Sequence, residues 1–534
     1  MEQLNSALSN SLEEGRIVAS DSMEIKSGSG LLNKVRPKFM LVGGVSLFFS
    51  LALTVLFYKA NFGLNMLLFS VVVIGLLYFL MHKLSIPMKP ATYVCYLGVV
   101  LLGLSSMLTV SEMLQFFNTV GSLLLLDISI LHQFYEDHEW NFSKHLKRVF
   151  TLPFTCITTL GFPFIDSYEF LRKKKLFQNK VTFNILIGVL ISIPLLGIVM
   201  LLLSSADLLF RNMTEDIVSL IFSPDIFNVV LLFLFGFLAC YCIICGSVEK
   251  IGLEERNNPT KKAPASIAIT ILAILGMVYV LFCGIQILYL FIHGLFTLPA
   301  EFTFAEYARR GFFELVAVTA INILLILLST TLFEESKVIR VLLTGMTVCT
   351  YIMIGSAFYR MFLYIGEYQL THLRLLVLLF LTLNSFVLAG ILISVYRKKF
   401  PLFGYCVTVI SLGFLVFSFA KPDYIIASYN IDQDSSIDEE DLTYLTTMLS
   451  LDAAPVVVPY LANLEVEQIE SKDVIPNENA YDYAENINYE LGSIKTDYIN
   501  EIKRLRELQG IRDYNVSVHI AYDVVMDSEL EFIK

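Results

Sequence analysis

Charge is what this chain has least of. Lys, Arg, Asp and Glu make up 16% of its 534 residues, where soluble proteins carry about 25%. With 56% hydrophobic residues and a mean hydropathy of +0.68, this deficit excludes an ordinary soluble globular protein. Cysteine is missing from the last part of the chain: all eight fall at or before Cys406, which excludes a disulfide-stapled C-terminal ectodomain. Motifs that carry chemistry are missing as well. There is no Walker loop, no G-x-S-x-G and no dinucleotide fingerprint, and the seven histidines show no H-E-x-x-H spacing. Cys242 and Cys245 form a C-x-x-C inside an apolar run with no second pair, which reads as packing. Neither a cofactor nor a metal site is expected.

Long apolar runs stand where the charge is lacking. A bilayer core about 30 Å thick needs roughly 20 apolar residues per helix. Runs between charged breaks predict eleven spans: 39–58, 63–81, 92–110, 113–132, 182–203, 226–247, 265–291, 313–333, 339–362, 375–396 and 402–420. The fold class implied is an all-α polytopic membrane protein, here placed in a bacterial cell membrane with the bilayer as its first partner. Lys and Arg orient it, because short cytoplasmic loops are enriched in them. With residues 1–38 as a cytoplasmic, disordered tail, that side holds 24 basic residues and the opposite side of 39–420 holds six. The expected topology is N-terminus inside and residues after 420 outside. The tail has no apolar core near its start, so a cleaved signal peptide is not expected. Residues 151–165 are apolar but short, broken by Pro153 and Pro163 and flanked on both sides by basic clusters; they read as interfacial or re-entrant. The basic run Arg172–Lys175 with Lys180 fits anionic lipid rather than nucleic acid.

Residues 421–534 reverse the balance, with 24 acidic against 8 basic residues, a net of −16. They are expected to form a small, mostly helical extracytoplasmic domain. Ser436 and Glu439 read as a capping box opening a helix with Leu442, Leu445 and Leu449 on one face. A second helix follows Asp452, limited by Pro455 and Pro459. A third runs from about 493 to 509, with Ile494, Tyr498, Ile502 and Leu505 on one stripe and Gly510 as its stop. The polar, Tyr-rich stretch 477–490 reads as a loop. Residues 514–524 alternate like a strand, while Asn515 could equally cap a helix. The acidic run from Asp432 to Asp441 lacks the glycine and glutamate of a calcium loop at its sixth and twelfth positions.

Several blocks are familiar together. Ser204-Ser205-Ala206-Asp207-Leu208-Leu209-Phe210, Gln286-Ile287-Leu288-Tyr289-Leu290-Phe291 and Phe302-Thr303-Phe304-Ala305-Glu306-Tyr307-Ala308-Arg309-Arg310-Gly311-Phe312-Phe313-Glu314-Leu315 resemble a family of bacterial polytopic membrane proteins, domain of unknown function 4173. Ser356-Ala357-Phe358-Tyr359-Arg360-Met361, Thr371-His372-Leu373-Arg374, Tyr429-Asn430-Ile431 and Leu449-Ser450-Leu451-Asp452-Ala453-Ala454-Pro455 resemble its later blocks. The resemblance covers roughly residues 90–527 and implies a multi-span protein with an exposed C-terminal part; it brings no activity with it.

On the expected topology these blocks fall on the outer side. Asp207, Arg211, Glu306, Arg309, Arg310, Glu314, Arg360 and Arg374 form the candidate outer-face polar cluster, and charges at a membrane boundary are usually paired or face water. Three roles are open to it: mutual neutralisation, binding of an anionic ligand such as a headgroup, phosphate or wall polymer, or docking of the acidic domain. Asp127, in the inner third of the fourth span, is the candidate intramembrane relay. Gln286, Asn322 and Asn384 read as interhelical glue. No catalytic residue is identified. Polar residues gathered at the outer face favour a sensor or accessory protein that binds a ligand or protein partner there; a secondary transporter or channel is the alternative, and a membrane enzyme acting on a lipid-linked substrate the third reading.

Overall fold

The computed structural model describes residues 35–173 apart from 136, 138 and 139, isolated positions between 188 and 210, and residues 224–249, 262–288, 312–433 apart from 398, 439–463 and 480–533. Among these the regular structure is helical, with one isolated bridge between Ala263 and Phe333. After a 3-10 turn at Arg36–Lys38 come α1 (Phe39–Phe57), α2 (Leu64–Leu84), α3 (Pro90–Leu108) and α4 (Glu112–Phe134). Three shorter helices follow, α5 (Phe142–Thr151), α6 (Thr155–Thr158) and α7 (Phe162–Lys173). Long helices resume with α8 (Pro224–Glu249), α9 (Ala265–Gln286), α10 (Phe312–Leu332), α11 (Lys337–Tyr368), α12 (His372–Tyr396) and α13 (Leu402–Phe419). The C-terminal segment holds α14 (Pro422–Gln433), α15 (Glu439–Thr443), a π turn at Tyr444–Met448, a 3-10 turn at Leu451–Ala453, α16 (Ala454–Asn463), α17 (Ala480–Leu508) and α18 (Val516–Ile533).

Ten of these helices are long and apolar enough to cross a bilayer, and they match ten of the eleven expected spans. The expected span 182–203 lies outside the described residues apart from isolated helical positions. The protein is an all-α multi-pass membrane protein. A bent pair, Asp441–Met448 with Leu451–Asn463, also passes on composition. Each arm falls short of the roughly 20 residues a crossing needs, and the pair packs on α14 and α18.

The spans pack in two groups. α1 contacts α2 and α8, and α2, α3 and α4 follow in sequence; α9, α10 and α12 surround α11, with α13 against α12. α13 also contacts α3 and joins the groups. Without a hydrophobic drive between helices in lipid, close approach and buried polar pairs hold such a bundle. A Cβ at Gly103 would stand 3.1 Å from backbone atoms of α2, so glycine there sets the α2–α3 approach. Ser105, Asn118 and Ser418 join α3, α4 and α13. The three expected glue residues act as such: Asn322 Nδ2 donates to Thr350 Oγ1 and Asn384 Nδ2 to Thr319 Oγ1, both at 3.0 Å, while Gln286 accepts from α11.

The bundle has two distinguishable ends. At the basic end α1 starts, Lys38 donates to the Lys83 carbonyl, and α5–α7 lie against α1, α4 and α8. The other, here called the joint end, receives the C-terminal helices. Leu442, Leu445 and Leu449 are buried there, as are Tyr498 and Ile502; Ser436 lies outside the described residues. Two expectations need correction or resolution. Residues 480–490 are helical and continue into the expected third helix. Polarity alone does not make a loop where alanine and glutamate favour helix and a helix downstream propagates into them. Residues 516–524 are helical too, because Asn515 Oδ1 accepts the Ser517 N–H at 3.0 Å and caps α18.

Candidate functional site at the joint end

α11 contains 32 residues, about 48 Å at 1.5 Å per residue, and so outruns a 30 Å core. Its joint-end turns reach the C-terminal helices. The α11–α12 connection turns at Gln369, with φ 69° and ψ −177°, a region that is nearly glycine-only. This conformation is held from several sides. The Arg374 guanidinium donates to the Tyr368 and Gln369 carbonyls and lies 4.3 Å over the Tyr364 ring. Gln369 Nε2 donates to Asp441 at 3.2 Å. Asn430 pairs with the Leu370 backbone in both directions, accepting at 2.8 Å and donating at 3.0 Å.

Asp423, only 1% exposed, binds His372 Nε2 at 2.5 Å through one oxygen and accepts the Ser450 N–H at 3.1 Å through the other. Burial pushes this carboxyl up, but the hydrogen bonds from His372 and Ser450 outweigh it and hold the group below the ordinary carboxylate value. Asp452, equally buried, accepts from Thr109 Oγ1 and from the Val110 N–H at 3.1 Å, at the α3–α4 turn. Here burial wins over the hydrogen bonds, and the carboxyl is raised.

The same α3–α4 turn is gripped again from α18. Asn515 Nδ2 donates to the Ser106 and Thr109 carbonyls at 3.3 and 2.7 Å, and Ser517 Oγ to the Leu108 carbonyl at 2.8 Å. A third hairpin, α1–α2, meets the α17–α18 turn. The Leu64 and Asn65 N–H groups donate to the Tyr514 and Arg512 carbonyls at 2.9 and 2.7 Å, and Arg512 Nη1 reaches the Val55 carbonyl at 2.7 Å. A Cβ on Gly63 would lie 2.6 Å from the Tyr514 carbonyl oxygen, so only glycine permits this approach. Three separate hairpins are thus tied to one C-terminal segment.

The expected site residues distribute as follows. Arg360, buried on α11, donates to Gln286 Oε1 at 3.2 Å, and Ser356 donates to the same oxygen at 2.7 Å. Arg374 braces the Gln369 turn. Asp207 is exposed and accepts the Phe210 N–H at 2.9 Å. Glu314 is exposed in the first turn of α10, where it complements the helix dipole. Arg211, Glu306, Arg309 and Arg310 lie outside the described residues. Asp127 is half-buried on α4, and its Oδ2 has no hydrogen-bond partner. Among the described residues no cluster of three or more His, Cys, Asp or Glu is arranged to hold a metal ion.

Two clusters at the basic end escaped sequence reasoning. Asp166, 4% exposed, accepts from Arg36 at 2.9 and 2.6 Å and from the Tyr241 hydroxyl at 2.9 Å. Asp137 lies between His132, in close contact, and His145 at 3.5 Å, whose ring stacks on Phe403. Burial pushes the Asp137 carboxyl up, and the two histidines pull it well below the ordinary value. The first cluster joins residues 130 apart in sequence, and no local pattern announces it. The five-residue step from His132 at the end of α4 to Asp137 was the one usable signal for the second.

The fold and joint define a class: a multi-pass helical membrane protein whose C-terminal helices clasp one end of the bundle. The chain belongs to a family described as a domain of unknown function, DUF4153, whose model matches residues 96–460. The number 4173 expected from the sequence blocks is thereby corrected to 4153; both designate domains of unknown function. No curated protein and no solved structure matches the chain. The matched region runs from α3 into α16 and holds both sides of the Asp452–Thr109 and Asp423–His372 contacts. It ends before α17 and α18.

Proposed function

We propose that the protein is a membrane-embedded sensor or accessory protein, oriented with its N-terminal tail in the cytoplasm and its C-terminal helices outside, and that a partner engaging those helices is read by the bundle through the joint. Twenty-four basic residues on one side against six on the other support the orientation. One observation carries the role: a single segment is bonded to backbone groups of three hairpins, two through buried side chains and the third through the α17–α18 turn, so displacing the segment shifts α2, α3 and α12 together. Arg360 and Arg374 are engaged within the protein, which favours a protein partner over an anionic ligand for these two residues. The membrane interior offers local pairs such as Asn322–Thr350 and Asn384–Thr319, which suit packing.

Photo-crosslinkers at Leu508 and Met448, both exposed, test this in intact cells. A discrete partner adduct that disappears with Asp452→Ala at unchanged protein level is the expected result. Proton- or ion-coupled flux in proteoliposomes that Asp127→Asn abolishes would overturn the reading in favour of transport. Cysteines introduced at 490–510 should label from outside intact cells; protection there with labelling of the N-terminal tail would reverse the orientation.

A further inference from the structure

The segment α5–α7 is inside out. Its bundle-facing positions are His145, Val149, Leu152, Thr155, Thr159 and Asp166, all buried and mostly polar. Its opposite face carries Leu146, Phe150, Phe154, Ile157, Leu160 and Phe164, exposed by 42 to 67%. These six recur every three or four residues across two helix breaks, so the apolar face continues through the turns. A helix facing water has the reverse pattern, and a contiguous apolar face of this kind marks an interaction surface.

Depth identifies what it meets. Thr159 Oγ1 donates to the Cys242 carbonyl at 3.1 Å, and Gly246 packs on Thr155. Cys242 lies seven residues before the end of α8, about 10 Å inside it at 1.5 Å per residue. His145 of α5 meets Asp137 beside His132, which lies in the last turn of α4. The exposed face therefore lies at the level of the last turns of two spans, where the surroundings are acyl chains and headgroups. Both ends of the stripe carry exposed cations, Lys147 and Arg172, placed to reach the headgroups while their stems remain on the apolar surface.

We propose that α5–α7 form an interfacial belt that lies in the leaflet at the basic end and binds anionic lipid headgroups through Lys147 and Arg172. The breaks at Pro153 and Pro163 let the chain follow the bundle without crossing the membrane. Such a surface combines apolar insertion with electrostatic attraction to anionic lipid.

The test uses the full chain in vesicles of phosphatidylcholine with 30% phosphatidylglycerol. The indole of Phe154→Trp or Ile157→Trp, in a Trp140→Phe background, should be quenched by lipids brominated near the headgroup end of the chain and shielded from aqueous acrylamide. Leu508→Trp should show the opposite. Acrylamide quenching at 154 and 157 equal to that at 508 would overturn the belt. If Trp140→Phe does not fold, hydroxyl-radical oxidation of the wild-type chain reads the same face: Phe150, Phe154 and Phe164 should be protected in vesicles, and oxidation there matching that of Met448 overturns the belt. For the headgroups, Lys147→Glu with Arg172→Glu should lower co-purifying phosphatidylglycerol at least threefold without changing phosphatidylcholine, and inorganic phosphate should not displace it. Retention equal to wild type, or displacement by phosphate, would overturn the anionic-lipid assignment.

Discussion

The two ends of the bundle hold their partners by different chemistry. At the basic end the buried carboxylates gather side chains, Arg36 and Tyr241 on Asp166 and two histidines on Asp137, beside bonds to backbone carbonyls such as Lys38 to Lys83 and Lys89 to Tyr135. At the joint end, side chains mostly bind backbone: Asp452, Asn430, Asn515 and Ser517 recognise the N–H and C=O groups of hairpin turns. An ion pair tolerates small displacements because Coulomb energy falls slowly with distance. A bond to a turn carbonyl or amide depends on angle as well as distance and weakens steeply when misaligned. The basic end is suited to fastening, and the joint end to registering the position of the loops it holds.

The largest test of this contrast lies at the basic end. Arg36→Ala leaves Asp166 buried against a phenol alone, and stripping one partner from a buried pair costs about 3–5 kcal/mol. A loss of stability of that size in thermal melts in detergent, partly restored by adding Asp166→Asn, is expected. A loss below 1 kcal/mol would remove the distinction, since the ion pair would then act like a surface pair.

At the joint the two buried aspartates should respond unequally to the same isostere. Asp423→Asn removes the charge that His372 and Ser450 hold, and charge-assisted bonds contribute about 1.5–3 kcal/mol. Asp452 has a raised pKa, so its site favours the uncharged form, and Asn keeps an oxygen for Val110. Asp452→Asn should cost less than about 1 kcal/mol, while Asp452→Ala, which orphans Thr109 and the Val110 N–H, should cost about 2 kcal/mol. Equal losses for the two Asn variants would show that the carboxylates do the same work.

Acidification orders these groups. Asp423 and Asp137 lie below their ordinary values, so their stabilisation is complete above the unfolded carboxylate value of about 3.9 and is lost as pH falls through their lower folded values. Asp452 lies above its ordinary value: its charged form is penalised at neutral pH, and protonation relieves that penalty. Falling pH should therefore first raise the melting temperature, and only at much lower pH lower it and speed hydrogen exchange at Ser450. Asp452→Asn should abolish the first phase alone. A melting temperature that falls on the first acidification would reverse the assignment.

Much of the fold was legible because each span is a local statement of length and hydropathy, and ten described helices repeat what the runs between charges predict. The α18 cap at Asn515 was legible only as one of two options, since alternation and capping competed until the Ser517 N–H was seen to choose. The 480–490 helix was misread because a polar helix leaves no periodic signature. The joint was half visible: the blocks around Gln286, Arg360, His372, Asn430 and Asp452 stood out, yet their pairing across 51 to 343 residues is a property of the bundle that no local pattern encodes.

The finest test concerns strain. At the basic end Ser85 takes φ 57° and ψ 38°, the ordinary left-handed cap of a helix. At the joint Gln369 sits in a region that costs a non-glycine residue about 1–3 kcal/mol. Gln369→Ala keeps the strain and loses the bond to Asp441, so it should destabilise by about 1 kcal/mol. Gln369→Gly loses the same bond and adds about 0.5–1 kcal/mol of backbone entropy, but it relieves the strain and should be neutral or stabilising. Thermal melts of the two variants therefore isolate the backbone term, because the lost side-chain bond is common to both. A difference of 1 kcal/mol or more in favour of glycine would mean that the clasp holds the α11–α12 turn under tension, ready to relax when the C-terminal helices shift. Equal melting would mean that this turn is as relaxed as the one at Ser85, and the joint would then fasten as the basic end does.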